Sequence, residues 1–107
     1  MPTSIKKILR ELKKGLVAIY GDQLKAVILF GSYARGDAHP PDSDIDVMIV
    51  MKGLFNHREV DRLSSEFISA LCLEHDVLIS WRFVPEERYQ NSGMPLMINV
   101  RKDGVAI

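Results

Sequence analysis

Cysteine and long apolar runs are what this sequence most clearly lacks. Cys72 is the only cysteine among 107 residues, so no disulfide can form within the chain. No apolar run approaches the roughly 20 residues that a membrane helix needs. The opening segment "MPTSIKKILRELKK" has neither the apolar stretch nor the cleavage site of a signal peptide. We therefore expect a soluble protein of the reducing cytoplasm that does not contact the membrane.

Net charge is also absent, because 14 Lys and Arg balance 14 Asp and Glu. A dedicated nucleic-acid binder usually carries a net basic surface, so we expect no direct binding to nucleic acid. Two segments depart from this balance of positive and negative charge. Residues 1–20 carry five basic residues against one Glu, which is typical of a solvated helix face. Residues 37–46 carry four Asp and no Lys or Arg, and such close carboxylates repel one another unless a cation lies among them.

The chain contains no internal repeat, no low-complexity tract and no linker. Its length suits one domain with one core, and its 47% hydrophobic and 26% charged residues are ordinary for a globular protein. We therefore predict a single domain over residues 1–107.

Three helices are predicted from the spacing of apolar residues. The first covers residues 4–20 and ends at Gly21, which is a suitable C-cap. The second begins after Asn56, an N-cap residue, and continues to about Glu74. The third covers residues 94–103 and ends at Gly104.

Three buried strands are predicted from short apolar runs at residues 25–30, 44–51 and 76–84. A short helical or irregular piece follows Pro85. The order α-β-β-α-β-α predicts an α/β or α+β fold, a small mixed sheet flanked by helices on one or both faces. The helix between the second and third strands is compatible with parallel pairing of those two strands.

Two carboxylates stand at the start of the second strand. Successive side chains of a strand point to opposite faces, so Asp44 and Asp46 share one face. Paired carboxylates at the open end of a sheet make a poor core but a good site for a hard divalent cation, which prefers oxygen ligands. The alternative is that the two residues only cap a turn.

The pair Gly31-Ser32 follows the first strand. Glycine allows the backbone to approach a ligand closely. If a helix begins near Ser32, its free N–H groups and the Ser hydroxyl favour a phosphate. A phosphate site facing a carboxylate–metal site suits nucleotidyl transfer, in which two metal ions activate the attacking oxygen and neutralise the leaving pyrophosphate.

The segment "GSYARGDAHPPDSDIDVMIV" resembles the signature of the DNA polymerase β-type nucleotidyltransferase superfamily. It is most similar to the minimal nucleotidyltransferases, single-domain proteins of about this length that are often the antitoxin partner of a helical HEPN toxin. The family usually has ten residues between the Ser and the first Asp. This chain has eleven, Tyr33 to Ser43, including Pro40 and Pro41. The tail "PLMINVRKDGVAI" also resembles the family's C-terminal ending.

The resemblance implies a role for each matching residue. Gly31 and Ser32 hold the triphosphate of ATP, and Asp44 and Asp46 bind Mg²⁺, with two ions expected. The superfamily has a third carboxylate on a neighbouring strand, for which Asp76 is the candidate, as a metal ligand and as the general base. Turn chemistry between helix and strand is the alternative for Asp76.

One arginine is a further candidate for the site, whereas the three histidines are not. Arg35 is a candidate phosphate partner because its guanidinium is always charged, and a surface arginine is the alternative. The spacing of His39, His57 and His75 predicts no metal site.

The function implied is a Mg²⁺-dependent nucleotidyltransferase that uses a nucleoside triphosphate. By resemblance it transfers AMP from ATP to a tyrosine hydroxyl of a HEPN partner in a toxin–antitoxin system and releases pyrophosphate. One alternative is a non-catalytic antitoxin that neutralises its partner by contact. Another is transfer to a small molecule, for which 107 residues leave little room for an acceptor domain. The oligomeric state and the base preferred are left open.

Overall fold

The computed structural model describes residues 3–39 and 43–107. A 3-10 turn at Gly21–Gln23 follows the first helix. The other elements follow in the order α1 (Thr3–Tyr20), β1 (Leu24–Phe30), α2 (Ser32–Arg35), β2 (Ile45–Met51), α3 (His57–His75), β3 (Ile79–Pro85), α4 (Glu86–Asn91), α5 (Pro95–Asp103) and β4 (Val105–Ala106). Within this part of the chain no helix is both long and apolar enough to cross a bilayer.

The four strands form one mixed sheet in the order β3-β2-β1-β4. β1 runs antiparallel to both β2 and β4, whereas β2 and β3 are parallel and are joined through α3. The predicted mixed sheet flanked by helices is therefore confirmed. The direction of the second and third strands, which the sequence left open, is parallel.

Helices cover both faces of the sheet. Alternate residues of β1 and β2 bury one face against α1 and α3, where Leu12, Leu16 and Ile68 are fully buried. The other face packs against α5 through Met97 and Val100. Because the strands alternate their side chains, the residues of β2 that follow Asp46 on its own face belong to the smaller, α5-side core.

Local sequence explains why the two long helices meet closely. A Cβ atom at Gly15 would collide with the ring of Phe67, so the absence of a side chain there lets the α3 aromatic lie directly on α1. The amide of Glu59 donates to the Asn56 side-chain oxygen over 3.0 Å. This contact confirms Asn56 as the N-cap of α3.

One strand boundary and two added elements are the main differences from the sequence prediction. The third strand begins at Ile79 and not at residue 76. Asp76 instead ends α3 in the left-handed conformation, with φ 51° and ψ 50°, and its amide donates to the Cys72 carbonyl. The helical turn α2 and the short strand β4 add elements to the predicted order. Pro40, Pro41 and Asp42, which belong to the longer loop, lie outside the described residues.

Candidate active site

The end of β1 and the start of β2 are brought together by antiparallel pairing, with Phe30 opposite Asp46. Gly31 follows with φ 76° and ψ −154°, a conformation that side chains disfavour. A Cβ atom on Gly31 would collide with the Asp46 carboxylate oxygen Oδ2. Glycine is therefore favoured at this position for two reasons, its backbone conformation and the lack of space for a side chain. The Gly31 backbone lies against the carboxylate of Asp46, a predicted metal ligand.

A single helical turn, α2, follows Gly31. The Gly31 carbonyl accepts hydrogen bonds of 3.1 Å from the amides of Ala34 and Arg35. The amides of Ser32 and Tyr33 precede these bonds, so the turn has no partner for them, as at the start of any helix. Ser32 also carries a hydroxyl donor, and it directly follows Gly31, whose backbone lies against Asp46.

Asp44 and Asp46 stand at the entry to β2. Asp44 is exposed and precedes the strand, which begins at Ile45 with a 2.9 Å bond from its amide to the Leu78 carbonyl. Asp46 is partly buried. Burial raises the pKa of the Asp46 carboxyl, and the charge of Asp44 raises it further, while the Arg35 guanidinium opposes both. The two carboxylates therefore repel each other, and a bound cation would offset that repulsion.

A cavity of about 360 Å³ opens beside these residues. It lies within the size range of small-molecule sites. One wall comes from the β1–α2 junction and β2, and the other comes from α5. The lining residues are Phe30, Gly31, Ser32, Arg35, Asp46, Leu96, Asn99, Val100 and Asp103.

Four of the sequence-predicted site residues therefore converge on one cavity: Gly31, Ser32, Arg35 and Asp46. Arg35 is exposed, with its Nε 3.4 Å from the Asp37 carboxylate, so its guanidinium remains reachable by a ligand in the cavity. Asp44 precedes Asp46 by two residues but does not line the cavity wall.

Asp76 is not brought into this cavity. On β3 the residue in register with Asp46 is Ser80, and the next one on that face is Arg82. Neither is a carboxylate. In residues 3–39 and 43–107 the only three metal-ligating side chains whose ligand atoms all lie within 4.8 Å of one another are Glu11, Glu74 and His75. Asp44, Asp46 and Asp76 thus do not form a three-carboxylate cluster in this structure.

The Glu11–Glu74–His75 group was not expected from the spacing of the histidines. His75 Nε2 lies 2.8 Å from Glu11 Oε2, and this contact ties the end of α3 to α1. The two residues are 64 positions apart in the chain, so spacing alone could not have revealed the pair. The group lies on helices of the opposite face from the α5-side cavity.

Asn99 and Asp103 were also missed by the sequence analysis. The signal that could have drawn attention to Asp103 is its place in the last turn of a helix, where the helix dipole disfavours a negative charge.

A larger groove of about 460 Å³ lies along α1, lined by Lys6, Leu9, Arg10, Lys13, Lys14 and Ile107. None of its lining residues is Asp or Glu, and none was predicted for the site. Size therefore does not identify the functional cavity of this molecule, whereas the convergence of donors and carboxylates does.

The nucleotidyltransferase domain family matches residues 5–99. This chain belongs to that family. The matched range includes the β1–α2 junction and the whole of β2, so the family identity covers Gly31, Ser32, Asp44 and Asp46. It ends at Asn99, four residues before Asp103.

Relatives of this nucleotidyltransferase domain occur in Methanocaldococcus jannaschii. "Putative protein adenylyltransferase MJ0141" is 42% identical over 74 residues, which are 69% of this chain and 73% of that protein. "Putative protein adenylyltransferase MJ0604" is 48% identical over 44 residues, which are 41% of this chain and 43% of that protein. The match to the second relative thus spans less than half of its length.

Solved structures share the fold of the domain. A crystal structure of "a putative nucleotidyltransferase from Sulfolobus solfataricus" superposes with a TM-score of 0.57 at 27% identity, covering 99% of this chain and 86% of that one. A toxin–antitoxin crystal structure with AMP-PNP gives a TM-score of 0.62 at 23% identity, covering 91% of this chain and 69% of that one. At that identity the second likeness concerns the fold alone.

Proposed function

We propose that this nucleotidyltransferase domain moves AMP from ATP to a tyrosine hydroxyl of a partner protein and releases pyrophosphate. The partner we propose is a HEPN-type toxin, with the domain acting as its antitoxin. The observation that carries the proposal is the contact between the Gly31 backbone and the Asp46 carboxylate. That contact supports the proposal because Ser32 and Arg35, the proposed phosphate partners, line the same cavity as Asp46, a proposed metal ligand.

The relatives support the chemistry proposed. Two similar proteins are named "Putative protein adenylyltransferase". The toxin–antitoxin structure that shares the fold was solved with AMP-PNP. A protein acceptor also suits a chain whose described residues form one small sheet with its covering helices, because the acceptor then brings its own binding surface.

The residues divide the work between them. The free amides of Ser32 and Tyr33 and the Ser32 hydroxyl bind phosphate oxygens, and Arg35 adds a positive charge at the same cavity. Asp44 and Asp46 offer the oxygen ligands that Mg²⁺ prefers, and the raised pKa of the Asp46 carboxyl fits a site built for a cation. Magnesium bound there would neutralise charge on the phosphates and on the departing pyrophosphate.

The transfer itself exchanges one bond to phosphorus for another. The acceptor hydroxyl oxygen bonds to the α-phosphorus of ATP, and the bond from that phosphorus to the bridging oxygen breaks. The electron pair leaves with pyrophosphate, and the hydroxyl proton is released. The chain's contribution is to orient the triphosphate so that its α-phosphorus faces the open side of the cavity.

The test is an incubation of the domain with its cognate partner, Mg²⁺ and isotopically labelled ATP, followed by intact mass measurement of the partner. We expect the partner to gain the mass of one or more AMP groups and the label, with release of pyrophosphate. The double variant Asp44→Asn, Asp46→Asn should transfer nothing while it remains folded by circular dichroism. Undiminished transfer by that variant would contradict the proposal.

A partner that is neutralised without any mass change would favour the contact-only antitoxin. Labelling of a small molecule instead of the partner would favour the small-molecule transferase. Each of these outcomes would replace the proposed acceptor without changing the fold or the family.

A further inference from the structure

The α5 wall of the cavity carries two polar side chains that the proposed chemistry does not yet use. Asn99 and Asp103 are four residues apart on one helix, so they lie on the same side of it, one turn from each other. Both line the cavity, together with Leu96 and Val100. They face the wall that holds Ser32, Arg35 and Asp46.

The position of α5 is fixed by its packing. Met97 and Val100 are buried against Ile28 and Met48 of the sheet. The Gly104 amide donates to the Val100 carbonyl over 2.8 Å, and a Cβ atom on Gly104 would collide with Ile28.

The chain on either side of Asp103 is held as well. β4 follows Gly104 and pairs with β1, with Val105 opposite Leu29. At the other end, Arg101 donates to the carbonyls of Tyr89 and Ser92, each over 2.8 Å, which ties α5 to α4. Asp103 is therefore presented from a backbone that is anchored on both sides.

Both polar side chains are exposed. Among the described residues, Asp103 forms no ion pair and the side chains of Asn99 and Asp103 make no hydrogen bond. Arg101, the nearest arginine in the chain, is engaged by two carbonyls. An aspartate in the last turn of a helix opposes the helix dipole, and such a departure from a local rule is expected at functional positions.

The chemistry of the two walls is complementary to the two ends of a nucleotide. The proposed phosphate donors lie on one wall of the cavity, and the α5 wall offers a facing surface for the nucleoside joined to that phosphate. A carboxylate accepts hydrogen bonds only, and it suits a pair of ribose hydroxyls, as acidic residues do in dinucleotide-binding folds. The partly exposed apolar side chains of Phe30 and Leu96 suit the flat base.

We propose that Asp103, with support from Asn99, binds the 2′- and 3′-hydroxyl groups of the nucleotide ribose, so that the site selects ribonucleotides over deoxyribonucleotides. This inference rests on the proposed nucleotide chemistry of the same cavity. The match to the nucleotidyltransferase domain ends at Asn99 and does not include Asp103.

Calorimetric titration of the domain with ATP, dATP, 3′-deoxy-ATP and inorganic tripolyphosphate, all with Mg²⁺, tests the inference. The wild type should bind ATP more tightly than either deoxynucleotide. Asp103→Asn should weaken ATP binding by about ten- to a hundredfold, the worth of hydrogen bonds to a charged group. It should also bring the affinities for ATP and dATP close together, and Asn99→Ala should do the same to a smaller extent.

Tripolyphosphate separates ribose binding from a general electrostatic effect. Removing a negative charge should leave tripolyphosphate affinity unchanged or raise it, in the opposite direction from ATP. Asp22→Asn is the matched control, because it removes one carboxylate at the far end of β1 from the cavity, and it should change none of the affinities. The midpoint temperature of thermal unfolding should be the same or higher for Asp103→Asn than for the wild type, because the helix dipole no longer opposes a charged side chain.

The outcomes separate this inference from the function on which it rests. If the wild type binds no Mg²⁺-ATP, both are wrong. If it binds ATP, dATP and 3′-deoxy-ATP equally, or if Asp103→Asn leaves the ATP-to-dATP ratio unchanged, the ribose assignment is wrong and the nucleotide chemistry stands. Loss of transfer by Asp103→Asn with unaltered nucleotide affinities would likewise overturn it, because Asp103 would then act on the acceptor.

Discussion

The two faces of the sheet are covered in different ways. Two helices of 18 and 19 residues, α1 and α3, close one face with a continuous apolar core. The other face is covered by two helices of 6 and 9 residues, α4 and α5, over a much smaller core. The shorter cover leaves space beside the end of β1, and the candidate active site lies in that space.

The difference suggests a division of labour between stability and chemistry. Hydrophobic burial scales with the apolar area removed from water, so most of the stabilisation comes from the α1–α3 face. The α5 face can therefore carry Asp46 beside Asp44 at some cost to stability. Substitutions on the first face should unfold the protein without specifically affecting the site, and substitutions at the cavity should do the reverse.

The largest expected effect is on the α1–α3 face. Leu16→Ala removes a fully buried side chain and leaves a cavity, so the free energy of unfolding should fall by about 2–5 kcal/mol. The ATP affinity of the molecules that remain folded should be unchanged. Leu54→Ala is the control, because Leu54 is 97% exposed and its removal should change stability very little. An equal loss of stability in both variants, measured by denaturant titration, would contradict the division.

Gly31→Ala should have the next largest effect, which should be a loss of ATP binding at the α5-side cavity. The new Cβ atom meets Asp46, so it must displace the carboxylate as well as strain the backbone. Gly36→Ala is the matched control, because Gly36 also has positive φ, 83°, but nothing lies within 4 Å of its Cβ position. Both variants should lose stability through the strained backbone. Only Gly31→Ala should also lose ATP binding and transfer, and equal ATP affinities in the two variants would exclude the contact with Asp46 as a requirement.

Ser32→Ala should weaken ATP binding with little change in stability. One hydrogen bond to a charged group contributes about 1.5–3 kcal/mol, which corresponds to about ten- to a hundredfold in affinity. Ser69→Ala, at an exposed position of α3, provides the control. Calorimetry that gives the same ATP affinity for the wild type and Ser32→Ala would remove Ser32 from the phosphate site.

A smaller effect is expected from the titration of Asp46. Its pKa is raised above the ordinary value of 3.8, so the folded state holds this proton more tightly than the unfolded state. Its contribution to stability is therefore full below pH 3.8 and is lost as the pH rises through the raised pKa. Asp46→Asn should thus unfold at a higher temperature than the wild type at neutral pH, and the difference should shrink as the pH falls. Added Mg²⁺ should stabilise the wild type more than the variant, and a variant less stable than the wild type at neutral pH would contradict this account.

The smallest effect is expected at Asp76. Asn also tolerates the left-handed conformation at the end of a helix, so Asp76→Asn should change stability by no more than about 0.5 kcal/mol. Its transfer rate should equal that of the wild type, because Asp76 does not line the cavity. A fall of about 10²–10⁴ in the transfer rate, typical of the loss of a general base, would show instead that Asp76 reaches the reacting groups.

Much of the fold followed from local sequence patterns. The helix and strand periods were strong in α1, β1, β2 and α3, and each of these elements lies within a residue or two of its predicted range. The predicted start of β3 was wrong because the apolar pattern of "DVLISWRFV" runs through the end of α3 without a break. Hydrophobic periodicity does not reveal the left-handed conformation of Asp76, which ends that helix. β4 was missed because a strand of two residues is defined by its pairing with β1 and not by its own pattern.

The site was predictable only in part, for a similar reason. Gly31, Ser32 and Asp46 lie within 16 positions of one another, so a single segment showed their chemistry. Asn99 and Asp103 reach the same cavity only because α5 packs back onto β1. No local pattern predicts that contact, and the position of Asp103 at a helix end was the one physical sign of it.

A crystal structure of the domain with Mg²⁺ and a non-hydrolysable ATP analogue tests the central claim most directly. We predict that the triphosphate lies on the amides of Ser32 and Tyr33, that the metal is bound by Asp44 and Asp46, and that the nucleoside lies between Phe30 and α5. A nucleotide found in the groove along α1, or metal found away from both aspartates, would contradict the account.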